Sequence, residues 1–335
     1  MPLKIGFAFD AQEEYTVGPD DLPDKYAELD YEDTVDQIEG AIKAAGHNVE
    51  RIGGAKRIMG RLLGGERWDL VFNICEGLKY RNRESQVPAI LEVFDIPYIG
   101  SDPLTMGITL DKVTSKKLAV YNNVRTPEFI DISSPEELEN NRKWIEEHVP
   151  VIVKPTQEGT SKGLSKDSFC VNFDKVMARA RWVIEKYEQP VLVEKFIEGY
   201  EFTVVVIGNN EPEAFPPVQI AIKEKKDLGR DFYTYGRVLS PDISYVCPAD
   251  ITAEFDRELR GAAVAAYRAV QCRDFGRIDF RVEYDMKPYF LECNPLPHLG
   301  LDDVFPKVAE AAGKKYGDMI AKIIETAAAR LKIGC

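Results

Sequence analysis

Two short stretches decide the fold of this chain, Arg277-Ile278-Asp279-Phe280 and Leu291-Glu292-Cys293-Asn294-Pro295. Each alternates polar and apolar residues, a pattern typical of a half-buried β-strand. A turn at Asp285-Met286 would join them as an antiparallel hairpin, with Asp279 opposite Glu292 and Arg277 opposite Asn294. A shift by one residue would mix the two faces, so the pattern itself selects this register. It puts Leu291 and Cys293 on the apolar face.

The polar face of this hairpin is a candidate metal site. Two carboxylates that face each other repel unless a cation lies between them. Oxygen atoms from Asp279, Glu292 and Asn294 suit Mg²⁺ that is shared with phosphate groups. The alternative is a solvated sheet face, since opposed like charges destabilise a sheet only mildly.

Composition and charge limit the possible classes of protein. The 335 residues suffice for two or three domains. A net charge of −13 argues against a broad nucleic-acid-binding surface, and no apolar run approaches the roughly 20 residues that cross a bilayer. The N-terminus lacks a signal-peptide layout, and the six cysteines lack disulfide or zinc spacing. We therefore expect a cytoplasmic protein that acts on small molecules, without a nucleic-acid or membrane partner.

The N-terminal third alternates strand and helix patterns. A buried strand is predicted at 5–9, an amphipathic helix at 31–45 and further strands at 69–74 and 96–100. This order predicts an open, mostly parallel α/β sheet, which binds ligands at the carboxyl ends of its strands. Polar loops at 11–30 and 76–86 follow two of those ends.

The remaining two thirds contain longer antiparallel segments. Ser134, Pro135 and Glu137 form a helix-start signal with a capping box. Helices are predicted at 110–123, 173–186, 253–270 and 307–331, and strands at 150–155, 191–196, 201–207 and 215–222.

A glycine-containing loop, Gln157-Glu158-Gly159-Thr160-Ser161-Lys162-Gly163, follows Lys154 at the end of a strand. The chain has no GxxxxGK[ST] motif and no GxGxxG after a strand, so ATP binding would need another architecture. The amides of this loop, its two hydroxyls and Lys162 could bind phosphate. A mobile hairpin loop with an incidental lysine is the alternative.

The linker between two predicted strands is a candidate adenine site. Glu194 closes one strand and Glu201 opens the next. The residues between them could offer backbone groups and an apolar wall to adenine, and Glu201 could bind ribose hydroxyls. A plain β-turn with acidic edges is the alternative.

Taken in order, these motifs resemble the D-alanine–D-alanine ligases of the ATP-grasp superfamily. The resemblance is carried by segments spread over nearly the whole chain: 96–101, 110–112, 151–155, 158–163, 192–196, 201–204, 247–249, 276–279 and 291–295. It implies a three-domain ATP-grasp fold of the α/β class. Residues 1–108 would form an N-terminal domain with an open parallel sheet, 109–190 a central subdomain with the phosphate loop, and 191–335 a C-terminal α+β subdomain with the metal site.

The resemblance also implies a role for each site residue. The residues that bind ATP would be Lys112, Lys154, Glu194, Lys195, Phe196, Ile197, Glu201 and Phe232. Asp279, Glu292 and Asn294 would hold two Mg²⁺, with Mn²⁺ as an alternative metal. Catalytic roles would fall to Arg277, Thr160, Ser161 and Arg237, with Arg277 on the oxyanion.

The implied reaction is the ligation of a carboxylate to an amine. The carboxylate attacks the γ-phosphorus of ATP, and an amine then displaces phosphate from the acyl phosphate. The loop 157–163 would close as a lid that excludes water.

Several positions depart from the family pattern. Arg237 stands where the ligases have a lysine, and Val238 cannot replace the tyrosine that follows it. His298 follows Pro297 where the family has a glycine, and Asp303 aligns with a serine that binds the carboxylate of the second D-alanine. The candidate substrate residues are therefore His298, Asp303 and, in place of a missing N-terminal glutamate, Asp30 or Glu32. Helix capping by His298 and Asp302 is the alternative.

These departures favour an acceptor other than D-alanine, either a cationic or an uncharged amine. The sequence thus predicts an ATP-dependent ligase for amino acids or small peptides, with a homodimer as one possible assembly. The alternatives are a D-alanine–D-alanine ligase proper and a non-catalytic nucleotide-binding module.

Overall fold

The computed structural model describes residues 1–238 and 240–334. Within them lie thirteen strands, in chain order β1 (Lys4–Ala8), β2 (Asn48–Arg51), β3 (Leu70–Asn73), β4 (Phe129–Ile132), β5 (Val151–Pro155), β6 (Phe169–Cys170), β7 (Val191–Lys195), β8 (Tyr200–Ile207), β9 (Glu213–Ala214), β10 (Val218–Ile222), β11 (Ile243–Val246), β12 (Phe275–Val282) and β13 (Pro288–Asn294).

The same residues form eleven α-helices, which are α1 (Glu32–Ala44), α2 (Ala55–Leu63), α3 (Gln86–Val93), α4 (Pro103–Leu110), α5 (Lys112–Tyr121), α6 (Pro135–Asn140), α7 (Arg142–His148), α8 (Phe173–Tyr187), α9 (Ala253–Ala269), α10 (Val304–Ala311) and α11 (Tyr316–Leu331). None of the helices in this described part of the chain combines the length and apolarity that crossing a membrane requires.

The N-terminal sheet is parallel, as predicted, with the strand order β2-β1-β3. The strand predicted at 96–100 is wrong, because Tyr98 makes only a single parallel bridge to Val71. Helix α1 packs its buried face of Val35, Ile38 and Ile42 into a core that also contains residues of α11.

The helix predicted at 110–123 is observed as α5 and begins two residues later, whereas the helix predicted at 307–331 is divided in two. Asp111 has an extended backbone and accepts a hydrogen bond from the Thr114 amide at 2.9 Å, so it ends α4 and caps α5. Gly313, with φ +68°, interrupts the helix predicted at 307–331. The predicted N-cap Ser134 is confirmed, but the Glu137 carboxylate accepts from the Ser133 amide, so the capping box is incomplete.

The central sheet is antiparallel, in the order β4-β7-β5-β6. One of its faces is covered by α6, α7 and α8 through a shared apolar core. The boundary predicted at residue 190 falls just before β7, so this sheet draws on both sides of that boundary. The division of the chain into three domains stays a prediction.

The C-terminal sheet contains six strands, in the order β11-β10-β8-β12-β13 with β9 beside β8. Helix α9 covers its apolar face, where Ile278 and Phe280 are buried. The predicted hairpin register is confirmed, with Asp279 opposite Glu292 and Arg277 opposite Asn294. The polar face therefore points away from α9.

A β-bulge corrects one part of that hairpin prediction. The register shifts after Asp279, so that Phe280 pairs with Phe290 and Leu291 has no partner of its own. The bulge turns Leu291 into the cleft beside Glu292, so its predicted place on the apolar face is wrong. Cys293 is buried on the apolar face as predicted.

Candidate active site

The first of two adjoining cavities lies between the central sheet and the β12–β13 hairpin. One end is apolar, with Ile152, Phe196 and Phe232 packed together. Lys195 and Ile197 line the same end. The Lys195 side chain is about half exposed, so this residue can face a ligand mainly through its backbone. This end has the flat apolar walls that a purine base requires.

Buried lysines occupy the opposite end of this cavity. Lys154 on β5 approaches Glu194 on β7 with 2.5 Å between Nζ and Oε1, and Lys116 on α5 approaches Oε2 of the same carboxylate at 2.8 Å. Burial raises the pKa of Glu194, but the two ammonium groups outweigh it, so the pKa is lowered. Glu194 therefore holds two lysines in place through its carboxylate, and its predicted role beside adenine stays a prediction.

Lys116 also donates to the Thr126 hydroxyl at 2.8 Å and has no exposed surface. Burial lowers its pKa to about 8 despite the attraction of Glu194. The site therefore places positive charge in a desolvated region, where an unpaired charge is costly. A bound polyanion would offset that cost.

The opposed carboxylates lie where the two cavities meet. Lys112 Nζ is 2.9 Å from Glu292 Oε2, and it donates to the Glu158 carbonyl. Burial opposes ionisation of Glu292, but Lys112 and then Lys154 lower its pKa to about 2. Glu292 is thus an ionised carboxylate that faces both cavities.

Asp279 is held by three neighbours. The Thr203 hydroxyl donates to Oδ1 at 2.6 Å, the Asn294 amide donates to Oδ2 at 2.9 Å, and Arg277 donates to both oxygens at 3.0–3.1 Å. Arg277 also approaches Asp303 at 3.6 Å. Although burial disfavours its charge, these aspartates raise the pKa of Arg277 above its ordinary value.

The glycine-containing loop 157–163 is docked on a segment of the N-terminal part, residues 24–28, which we call the latch. The Gly159 amide donates to Glu28 at 2.5 Å and the Gly163 amide donates to Asp24 at 2.8 Å. Lys162 lies 3.0 Å from Glu28. Part of the donor set predicted for phosphate is therefore occupied by carboxylates.

The hydroxyl residues of that loop lie at the rim of the cavities. Thr160 has φ +46° and Ser161 has φ +55°, conformations that cost energy for residues other than glycine. Both line the second cavity, and Ser161 also lines the first. The docked loop thus covers the junction of the two cavities.

The second cavity is larger than the first and is rich in acidic residues. His298 lies between Asp30 and Asp302, with 3.0 Å from its Nδ1 and Nε2 to the respective carboxylates. Burial lowers the pKa of His298, but the two aspartates outweigh it and raise the pKa to about 10. The imidazolium is therefore fully engaged by two carboxylates.

Two predicted site residues are not brought to either cavity. Arg237 pairs with Asp231, at 3.0 Å for one of its contacts, and donates to the Phe232 carbonyl at 2.8 Å. Glu32 pairs with Arg51 on β2. The sequence around Glu32 and Arg237 could not distinguish these local ion pairs from site residues.

The other predicted residues line at least one cavity. They are Asp30, Lys112, Lys154, Thr160, Ser161, Glu194, Lys195, Phe196, Ile197, Glu201, Phe232, Arg277, Asp279, Glu292, Asn294, His298 and Asp303. Glu201 faces both cavities, but its carboxylate is 3.3 Å from Arg281.

Several residues of the site were missed from sequence. Tyr233 and Tyr245 line the second cavity beside Val238, with 3.2 Å between their hydroxyl oxygens. Their phenol hydroxyls lie beside Val238, which has no hydrogen-bonding side chain of its own. Lys116 could have been found, because it lies one helical turn from Lys112. Glu28 carries no local signal, since its partners come from residues far along the chain.

This cleft between two antiparallel sheets has the arrangement of an ATP-grasp protein. Lys154 comes from the central sheet, Lys112 and Lys116 come from α5, and Asp279 and Glu292 come from the C-terminal sheet. Two solved structures have the same fold over almost the full length. The D-alanine–D-alanine ligase of Bacillus anthracis complexed with ATP has a TM-score of 0.73 at 22% identity and covers 98% of this chain and 99% of that one. The VanG D-Ala:D-Ser ligase of Enterococcus faecalis has a TM-score of 0.76 at 20% identity, covering 98% and 100%.

The chain belongs to the D-alanine–D-alanine ligase family. Residues 119–325 match the family model described as D-ala D-ala ligase C-terminus. The D-alanine–D-alanine ligase of Pelotomaculum thermopropionicum is 30% identical over 78% of this chain and 81% of its own length. A protein of Sinorhizobium fredii named y4sG and described as uncharacterized is 32% identical over 87% and 86%. The protein is therefore an enzyme, an ATP-dependent ligase of this family, and not a non-catalytic nucleotide-binding module.

Proposed function

We propose that this ligase joins the carboxylate of one amino acid or small peptide to an amine, through an acyl phosphate formed from ATP. The observation that carries the proposal is the position of Asp279 and Glu292. Both face the apolar-ended cavity suited to a nucleotide and the acidic cavity suited to an amine. A γ-phosphate and a substrate carboxylate would meet at that junction.

We infer that Asp279, Glu292 and Asn294 hold Mg²⁺. Two carboxylates and an amide oxygen form the hard-oxygen set that this ion prefers. Among the described residues, no group of three or more His, Cys, Asp and Glu is placed to hold a metal alone. Phosphate oxygens would have to complete the coordination. When bound, Mg²⁺ supplies positive charge that offsets the charge of the triphosphate.

The remaining steps fall to side chains of the chain itself. Lys112 and Lys154 bind phosphate oxygens, and the strained loop 157–163 keeps water from the acyl phosphate. Arg277 is buried beside the junction and stays charged, so it can stabilise the oxyanion that forms when the amine attacks.

We further propose that the acceptor is not D-alanine. An incoming carboxylate would find the two cations of the acidic cavity already engaged, Arg277 by Asp279 and Asp303, and His298 by Asp30 and Asp302. Displacing Asp303 or Asp30 would leave a largely buried carboxylate unpaired. An uncharged or cationic amine meets no such penalty.

The test is ADP release with ATP and Mg²⁺ across pools of amino acids and amines. We expect turnover with a pool that contains a basic or carboxylate-free amine, and little with D-alanine alone. Strong turnover with D-alanine as the sole substrate would refute the acceptor assignment. Absence of turnover with every pool, while ATP still binds, would refute the ligation of amino acids. A homodimer stays a prediction that light scattering can decide.

A further inference from the structure

Arg281 is a buried cation that lines the first cavity, and the proposed reaction gives it no role. It lies on β12, two residues beyond Asp279 on the same face of the strand and opposite Glu201 of β8. Arg281 is only 4% exposed. Among the residues that the structure describes, Glu201 is its one acidic partner, at 3.3 Å. Because a buried charge is costly unless its hydrogen bonds are satisfied, the other partners of this guanidinium matter.

Three backbone carbonyls accept hydrogen bonds from Arg281. Nε donates to the Ile197 carbonyl at 3.0 Å, Nη2 donates to the Gly229 carbonyl at 2.9 Å, and Nη1 donates to the Asp231 carbonyl at 3.2 Å. A guanidinium carries five N–H donors in a fixed plane. One rigid group therefore holds carbonyls that lie more than 30 residues apart in the chain.

These carbonyls belong to two irregular segments, which we call the linker (196–199, between β7 and β8) and the cover (228–232, between β10 and β11). Each segment supplies one aromatic wall of the apolar end of the cavity. Phe196 comes from the linker and Phe232 from the cover, with 5.8 Å between their ring centroids. The Arg281 guanidinium also lies 5.1 Å from the centre of the Phe196 ring. Both walls of the apolar end are thus tied to one side chain of β12.

The linker and the cover also contact each other directly, since the Gly199 amide donates to the Gly229 carbonyl at 3.2 Å. That bond lies three residues from either aromatic ring. Arg281 acts closer to the rings, because Ile197 and Asp231 are the immediate neighbours of the two phenylalanines. Without the guanidinium, nothing in that glycine contact fixes the backbone beside the rings.

Glu201 depends on the same guanidinium. Burial raises the pKa of Glu201, Arg281 opposes the rise, and Asp279 adds to it. Loss of the guanidinium would therefore let Glu201 take up a proton more readily. A protonated Glu201 would be a weaker acceptor for the hydroxyl groups of a ligand in the cavity.

We propose that Arg281 is a positioning residue that fixes the apolar, base-binding end of the first cavity before ATP binds. It acts through the linker and the cover, not through contact with phosphate groups. The inference rests on the proposed function, which places the nucleotide in this cavity. Preorganised walls reduce the ordering that a ligand must impose, so the effect should appear in the affinity for ATP and not in turnover at saturating ATP.

The first measurement is the affinity for a non-hydrolysable ATP analogue with Mg²⁺, determined by calorimetry without an amino acid. We expect Arg281→Met to bind the analogue about tenfold more weakly than the wild type, because two aromatic side chains must then be ordered on binding. Arg281→Lys should lie between the two, since an ammonium lacks the planar fork that reaches both segments. Arg181 is exposed on α8, so Arg181→Met should bind the analogue as the wild type does.

Hydrogen exchange separates positioning from a general loss of structure. Without nucleotide, Arg281→Met should exchange faster at the amides of the linker and the cover, while β8 and β12 stay as protected as in the wild type. Saturating ATP analogue should restore the protection of both segments. A purely structural role would instead speed exchange across β8 and β12, and that result would overturn the proposal. Wild-type exchange in the linker and the cover would overturn it too.

Phe232→Ala distinguishes a failure of this proposal from a failure of the proposed function. The change removes one aromatic wall and keeps the guanidinium, so it should also weaken binding of the analogue. Weaker binding by Phe232→Ala with unchanged binding by Arg281→Met overturns the role of Arg281 and keeps the nucleotide in the first cavity. Unchanged binding in both variants overturns both. Should Arg281→Met fail to fold, Arg281→Lys serves for both measurements, with wild-type affinity as the refuting result.

Discussion

Replacement of Glu28 by glutamine tests how the latch holds the loop over the active site. The carboxylate of Glu28 accepts from the Gly159 amide at 2.5 Å and pairs with Lys162 and Arg83. Glutamine keeps the volume and one acceptor oxygen, so Glu28→Gln removes the charge and little else. The two cations are then left with Glu158 as their shared acidic partner.

The expected loss of stability in Glu28→Gln follows from the pKa of Glu28. Burial raises this pKa, but Arg83 and Lys162 outweigh it and lower it from 4.5 to about 2, which corresponds to about 3 kcal/mol in favour of the carboxylate. Loss of this stabilisation should lower the unfolding temperature by about 4 °C, if a chain of 335 residues unfolds as one unit.

The contribution of Glu28 to the unfolding free energy should change with pH in a defined direction. Because the pKa of Glu28 is depressed in the folded protein, its contribution is fully present above about pH 4.5 and is lost as the pH falls towards 2. The difference in unfolding free energy between the wild type and Glu28→Gln should therefore be constant from pH 8 to 5. Below pH 4.5 it should shrink.

The expected functional consequence is hydrolysis of the acyl phosphate before the amine reacts. A loop that no longer docks on the latch admits water, so Glu28→Gln should form more ADP for each amide formed than the wild type does. Thermal melts, denaturant titrations and paired assays of ADP and amide measure both effects, with Glu185→Gln as the exposed control. A melt within 1 °C of the wild type and an unchanged ratio of ADP to amide would refute the latch.

Three further variants address the nucleotide and amine sites. Glu292→Ala should abolish ADP formation with little loss of secondary structure by circular dichroism, and unchanged ADP formation would remove Glu292 from the metal site. Lys116→Met should raise the KM for ATP roughly tenfold, because a weakly supported Glu194 then competes for Lys154, and an equal KM would contradict that role. His298→Gly should change the order of preferred amines in the ADP assay. The wild-type order should hold from pH 6 to 9, since the charged ring's contribution is lost only as the pH rises through about 10. An unaltered order in the variant would remove His298 from the acceptor site.

The hairpin could be predicted in detail because its signal is local. Alternation with a period of two sets which side chains share a face, and one shift of register would expose the apolar set. The bulge at Leu291 could not be predicted, because an apolar residue suits the core in any local pattern. Only the shape of the cleft makes Leu291 a lining residue.

The latch lay beyond prediction for a different reason. Glu28 lies 55 residues from Arg83 and 134 from Lys162, and all three belong to irregular segments without periodicity. A loop pattern does not indicate which distant charge will neutralise it. The family resemblance did not help either, since it concerns the nucleotide and metal residues and leaves the loop at 11–30 unassigned.

The distribution of paired and unpaired acids explains how one anionic chain can bind both a polyanion and an amine. With a net charge of −13, the protein as a whole repels ATP, so the attraction must be local. In the first cavity Glu194 and Glu292 are paired with lysines. In the second, the carboxyls of Glu76 and Glu84 have no ion pair with any residue of the part of the chain that the structure describes. The second cavity is therefore the more acidic of the two in its lining residues, and Asp279 lies at the boundary between them. Under the proposed function, a triphosphate would occupy the first cavity and an amine the second, so that the reacting groups would meet beside Asp279 and Glu292.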